Sequence, residues 1–112
     1  MVAWQQMTKD VTAQMRNLRE GTPDVMKAFA NMALAATAPK ALDTKTKELL
    51  ALGIAVAVRC DDCIGFHVKA LVRLGVTREQ LNETLAVAVY MGGGPALMYA
   101  AEALRAYEEF SG

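Results

Sequence analysis

The chain is 112 residues long, enough for one domain with a core of its own, and its 12 Lys plus Arg residues balance 12 Asp plus Glu. With no excess positive field to draw in a phosphate backbone or an anionic lipid surface, neither nucleic acid nor membrane is expected as a partner. The apolar share of 54% is high for so small a protein, which predicts that other subunits cover part of it.

The opening residues, Met1 to Asp10, lack the basic start and apolar stretch of a signal peptide, so a cytoplasmic location is expected. Sustained period-two alternation is missing and good helix formers dominate, so the expected fold is all-α, a bundle of about six helices in a single domain over residues 1–112. A first helix fits Met7 to Arg19, with Met7, Val11, Met15 and Leu18 at three- and four-residue steps and Gly21 as its stop. Thr22 can cap a second helix that takes Pro23 at its first position and buries Val25, Met26, Phe29, Met32 and Ala33; Pro39 marks the next break.

A third helix runs from Asp43 through Glu48 to Val58, its later part apolar nearly all round and therefore central. That run of about ten apolar residues is half the roughly 20 needed to span a bilayer. A fourth begins at Cys60-Asp61-Asp62, where two acids suit the first turn, and ends before Gly75. Thr77 with Gln80 is a capping-box pattern that opens a fifth, ended by Gly92-Gly93-Gly94. Pro95 then enters a sixth, with Leu97, Ala101, Leu104 and Glu108 along one side. Trp4 is read as packing at an interface or lying in a loose terminus, and Tyr90 and Tyr99 as core residues that could instead line a pocket.

The chemistry concentrates in Cys60-Asp61-Asp62-Cys63-Ile64-Gly65-Phe66-His67. Two cysteines two residues apart are no disulfide framework; in a reducing compartment such a pair is catalytic or metal-binding more often than structural. On a helix, Cys63 and His67 fall about 60° and 20° from Cys60, so the three share a face. A pair at a helix start can close a disulfide with little backbone movement, and the free N–H groups there favour a thiolate, the species that attacks peroxides and disulfides. Arg59 acts in the same sense, whereas Asp61 and Asp62 oppose it.

Two other readings remain at this point. The cysteines can be inert core residues beside a buried histidine, or the three side chains can be zinc ligands, although a closed zinc site needs a fourth and no second pair is present to supply it. The residues before Cys60 look helical, which argues against a thioredoxin arrangement, where a strand feeds the dithiol helix. Gly65 within the helix suggests close approach by a neighbouring one.

Glu48, Cys60, Cys63 and His67, followed by Gly75 and by Tyr90-Met91-Gly92-Gly93-Gly94-Pro95-Ala96-Leu97, resemble the carboxymuconolactone decarboxylase family, and within it the alkyl hydroperoxidase D-like branch. The resemblance covers roughly residues 24–106. It implies a helical subunit that assembles into trimers or hexamers and runs a peroxidase or disulfide-reductase cycle, with Cys63 attacking, Cys60 resolving, and Glu48 and His67 relaying protons.

A peroxide or disulfide would be the substrate and an external thiol the reductant. No metal or organic cofactor is expected, in keeping with the lack of a Rossmann or flavin fingerprint. Two departures stand out. Asp62 occupies the position of a histidine in alkyl hydroperoxidase D, and that protein carries two related helical units where this chain has one, so neighbouring subunits are expected to complete the fold. The alternatives are a lyase acting on a lactone acid and a non-enzymatic assembly module whose disulfide switches its partner surface.

Overall fold

The computed structural model describes residues 3–112. It consists of six α-helices: α1 (Trp4–Gly21), α2 (Pro23–Thr37), α3 (Thr44–Ala57), α4 (Asp61–Arg73), α5 (Arg78–Gly92) and α6 (Gly94–Ser111). No strand occurs among the described residues. The centre is a four-helix arrangement in which α3 and α6 each pack on both α4 and α5 and also touch one another. Outside it, α1 lies against α4 and α6, and α2 folds back along α1 with a slight contact to α3.

Local chemistry explains most of the boundaries. Asp43 caps α3 by accepting the Thr46 N–H at 2.8 Å. Hydrogen bonds from the Thr46 side chain and backbone hold the Asp43 carboxyl below its ordinary range. That contribution to stability is present above the unfolded value and is lost as pH falls through the folded one. At α5 the capping box closes reciprocally: Gln80 N–H donates to Thr77 Oγ1 and Thr77 N–H donates to Gln80 Oε1, each at 3.0 Å. Gly75 and Gly93 take positive φ of 79° and 74° at the ends of α4 and α5, a conformation that excludes most side chains.

The buried core joins Leu52, Ala55 and Val56 of α3, Ile64, Val68 and Leu71 of α4, Leu81, Leu85 and Ala88 of α5, and four alanines of α6. Several expectations about faces are corrected here. On α6 the inward stripe is Ala96, Ala100, Ala103 and Ala106, while Leu97 and Ala101 point outward. Because α6 packs on α1, α3, α4 and α5 at once, small side chains line its inner face. On α2, Thr22 caps nothing; its hydroxyl donates to Leu18 O at 3.1 Å. None of the stripe expected inside α2 is buried, because the helix sits at the margin with α1 and the edge of α3 as its only neighbours. Tyr90 is 83% exposed, whereas Tyr99 packs against the core.

Trp4 is neither loose nor at a surface, since it is 1% exposed in the core. Its indole stands over Gly65 of α4: a Cβ at that position would lie 3.3 Å from Trp4 Cε3 and 3.0 Å from Thr8 Cγ2. The glycine is thus the seat of α1 on the dithiol helix. Gly65→Val should lower stability by about 2 kcal/mol, the cost of overpacking, and displace Trp4, the chain's only tryptophan. Urea unfolding followed by Trp fluorescence tests this: emission should shift to the red in the native state, and an unchanged spectrum would refute the seating.

Candidate active site

The turn from α3 into α4 builds the first half of the site. The Cys60 N–H donates to Ala55 O at 3.0 Å, which ties the residue back onto the last turn of α3. Arg59 just before it has φ 62°, a left-handed backbone uncommon for a residue with a Cβ. Cys60 itself is extended and caps α4, its Sγ accepting the Cys63 N–H at 3.2 Å. The two cysteines are joined in a disulfide with Cα atoms 5.2 Å apart. Both are half-buried, so the bond lies at the surface of the bundle, at the end of α4 where free N–H groups and the helix dipole favour negative charge. Asp61 and Asp62 fill the first turn.

The second half comes from the α3–α4 packing. Glu48 sits in the second turn of α3 and is buried there, its side chain 12% exposed. Its Oε2 is 2.7 Å from His67 Nδ1, and the imidazole is 32% exposed. An ionised carboxylate only accepts, so this bond assigns the proton to Nδ1 and leaves Nε2 as the free nitrogen that can take or hold another. His67 follows Cys63 by one helical turn. The four residues singled out in the sequence therefore form two bonded pairs around the first two turns of α4.

The connector before α3 is held in the same region. Thr44 Oγ1 donates to Thr37 O at 3.0 Å and Lys47 Nζ to Ala38 O at 2.6 Å, which fixes the start of the helix that carries Glu48. Among the described residues, no three His, Cys, Asp or Glu side chains are placed to hold a metal ion together. No helix among them is long and apolar enough to cross a membrane. Pattern reading had no means of finding Trp4 and Thr8, which back the dithiol helix, because their partner is a missing side chain at Gly65.

The carboxymuconolactone decarboxylase family model matches residues 23–106, a span that takes in α2 to α5 and most of α6. A crystal structure of a protein of that family from Legionella pneumophila is 57% identical and superposes with a TM-score of 0.95 over 97% of both chains. A second family member, from Thermotoga maritima, for which a part in the antioxidative response is suggested, is 30% identical with a TM-score of 0.83, covering 92% of this chain and 88% of that one. An uncharacterized protein of Cupriavidus necator is 41% identical over 99 residues, 88% of either chain. The bundle and the matched span together define a helical protein of the carboxymuconolactone decarboxylase class. The chain belongs to the carboxymuconolactone decarboxylase family.

Truncating the two members of the Glu48–His67 pair should have unequal effects. His67→Ala strands the more buried group, an acceptor left without a donor, and should cost about 2 kcal/mol; Glu48→Ala removes that group and should cost less. Urea midpoints of the two variants decide the matter, and equal losses would mean that the contact does not set the stability of this region.

Proposed function

We propose that the protein is a thiol-disulfide oxidoreductase of the peroxidase kind, resetting itself with an external thiol. The observation that carries this reading is the disulfide at the start of α4 with His67 one turn along the same helix, bonded to Glu48 of α3. In the reduced form, the Cys63 thiolate attacks the terminal oxygen of a hydroperoxide. The O–O bond breaks, the departing alkoxide takes a proton to become an alcohol, and Cys63 becomes a sulfenic acid. Cys60 then attacks the Cys63 sulfur, the S–S bond forms and the sulfenic oxygen leaves as water. One peroxide is reduced to alcohol and water, and two thiols are oxidised to one disulfide. A dithiol donor reverses the last state by thiol-disulfide exchange, releasing its own disulfide.

The residues suit these steps. Cys60, as the cap of α4, keeps a hydrogen-bond donor at its sulfur, so the bond to Cys63 can break and re-form without unwinding the helix. Glu48 orients His67, whose free Nε2 is the group to pass protons to the leaving alkoxide and water. A reducing compartment, in which a thiol donor is abundant, is the natural setting for such a cycle and the reason we assign the protein to the cytoplasm.

The test is peroxide consumption with a thiol donor by Cys63→Ser and Cys60→Ser. Cys63→Ser should be inactive. Without the thiol donor, Cys60→Ser should consume about one equivalent and stop, with mass spectrometry finding one added oxygen on Cys63. At pH 7 the reduced wild type should be alkylated roughly ten times faster than free cysteine. Both serine variants turning over peroxide at the wild-type rate would refute the reading, and turnover of a lactone acid by the doubly alkylated protein would favour a lyase in its place.

A further inference from the structure

Helices α3 and α4 end in the same hydrogen-bonded motif. After α4, the Val76 N–H donates to Leu71 O at 3.0 Å and the Gly75 N–H to Val72 O at 3.1 Å. After α3, the Cys60 N–H donates to Ala55 O at 3.0 Å and the Arg59 N–H to Val56 O at 3.2 Å. This pair of bonds needs a left-handed residue just past the helix, and glycine is the residue that adopts it without a Cβ penalty. Gly75, at φ 79°, obeys the rule, and since nothing lies within 4 Å of where its Cβ would stand, backbone conformation alone accounts for it. Arg59, at φ 62°, breaks it, and is the one non-glycine residue at positive φ among the described residues.

The side chain at position 59 gives the fold nothing in return. It is exposed, and among the described residues it joins no ion pair and no cation–π contact. A conformational cost carried without an internal return points outward, to something that the side chain meets in solution. What it adjoins is the dithiol, since the Cα atoms of Arg59 and Cys60 are about 3.8 Å apart along the chain. Asp61 and Asp62 follow on the other side of Cys60. The other basic residues of the two helices, Lys45, Lys47, Lys69 and Arg73, are two turns or more from Cys60 along them. Charge around the disulfide is therefore ordered, with one cation on the α3 side and two carboxylates on the α4 side.

We propose that Arg59 selects the thiol that resets the dithiol, by holding a carboxylate of that donor while its sulfur attacks the Cys60–Cys63 bond. The inference rests on the redox reading above and adds the class of the reductant, a small thiol that carries a carboxylate a few bonds from its sulfur. A guanidinium suits the task because its planar fork can donate to both carboxylate oxygens. Asp61 and Asp62 by themselves would repel such a donor, so the discrimination lies with a single side chain. The donor thiolate attacks one sulfur of the disulfide, the S–S bond breaks, and a mixed disulfide and one cysteine thiolate remain. A second donor thiolate attacks the donor's sulfur in the mixed disulfide, which releases the donor as its own disulfide and frees the second cysteine. Two donor thiols are oxidised, one protein disulfide is reduced, and the two protons given up by the donor thiols end on the cysteines.

The test reduces the oxidised wild type, Arg59→Gly and Arg59→Lys with mercaptoacetate, mercaptoethanol and cysteamine, which carry an anion, no charge and a cation beside the thiol. Each rate is divided by that with mercaptoethanol, so that any change in the cysteines themselves cancels. Arg59→Gly should lower the mercaptoacetate ratio about fivefold, the factor for a unit charge pair near 4 Å in water, and should not lower the cysteamine ratio. Arg59→Lys should keep most of the wild-type ratio. In about 1 M salt the difference between wild type and Arg59→Gly should disappear, because an exposed charge is screened there. Arg59→Gly should also unfold at a higher urea concentration than the wild type, since glycine enters the left-handed turn freely. A lower urea midpoint would mean that the side chain supports the fold after all, and an unchanged mercaptoacetate ratio would mean that it meets no anion; either overturns the proposal. A wild-type disulfide that none of the three thiols reduces would overturn the redox reading and this inference together, an outcome that the wild type alone reveals.

Discussion

The packing of α3 against α4 is the contact on which the candidate site depends. It buries Glu48 beside His67, its hydrogen-bond partner, and the chain between the two helices is so short that Cys60 must leave α3 and cap α4 almost at once. A carboxylate and an imidazole on facing helices, and a sulfur at the junction of the same two helices, are therefore placed by one crossing. Shifting α4 by a turn would separate Glu48 from His67 and undo the Cys60–Ala55 hydrogen bond together. That coupling explains why the far side of α4 is so closely fitted: Gly65 admits Trp4 and Thr8 of α1 at contact distance, which clamps the dithiol helix from behind.

Charge at the start of α4 is set by opposing groups. The helix end and the Cys63 N–H donate toward the Cys60 sulfur, while Asp61 and Asp62 place two carboxylates in the same turn. Asp61 is exposed and Asp62 half-buried, and water weakens a charge far more than it weakens a directed hydrogen bond from the backbone. The backbone donor and the two acids thus act on the sulfur in opposite senses. The single histidine of the chain is His67, and Glu48 holds its Nδ1.

The helices and their ends were legible in the sequence because they are written in local chemistry. Thr77 with Gln80, Pro95 after three glycines, and Gly75 after Arg73 each need only their neighbours to act, and each falls where expected. The pairing of Cys60 with Cys63 was legible for the same reason, being a matter of spacing at one helix start. Glu48 was not, since its partner is 19 residues away on another helix, and in pattern alone an early-helix glutamate looks solvated; only the family resemblance singled it out. Facing was the least legible property. Periodicity identifies an apolar side but not its cover, so α2 reads as a core helix although none of its residues is buried. On α6 the inward residues are the small ones, Ala96, Ala100, Ala103 and Ala106, which hydrophobicity alone does not single out.

The misplaced α2 stripe and the high apolar share of the composition have one physical origin. A 112-residue chain cannot surround six amphipathic helices with its own polar surface, and four of them already fill the interior with small and branched side chains. Part of the surplus lies on α2 and along an apolar trough between α3 and α5, and the rest, including Leu18, Leu42, Leu74, Leu97 and Met98, is spread over the surface. Concentration of this kind matters because the apolar contribution grows with contiguous area removed from water, and isolated residues gain little from an encounter. Helix α3 thus carries the apolar trough on one face and the buried carboxylate on another.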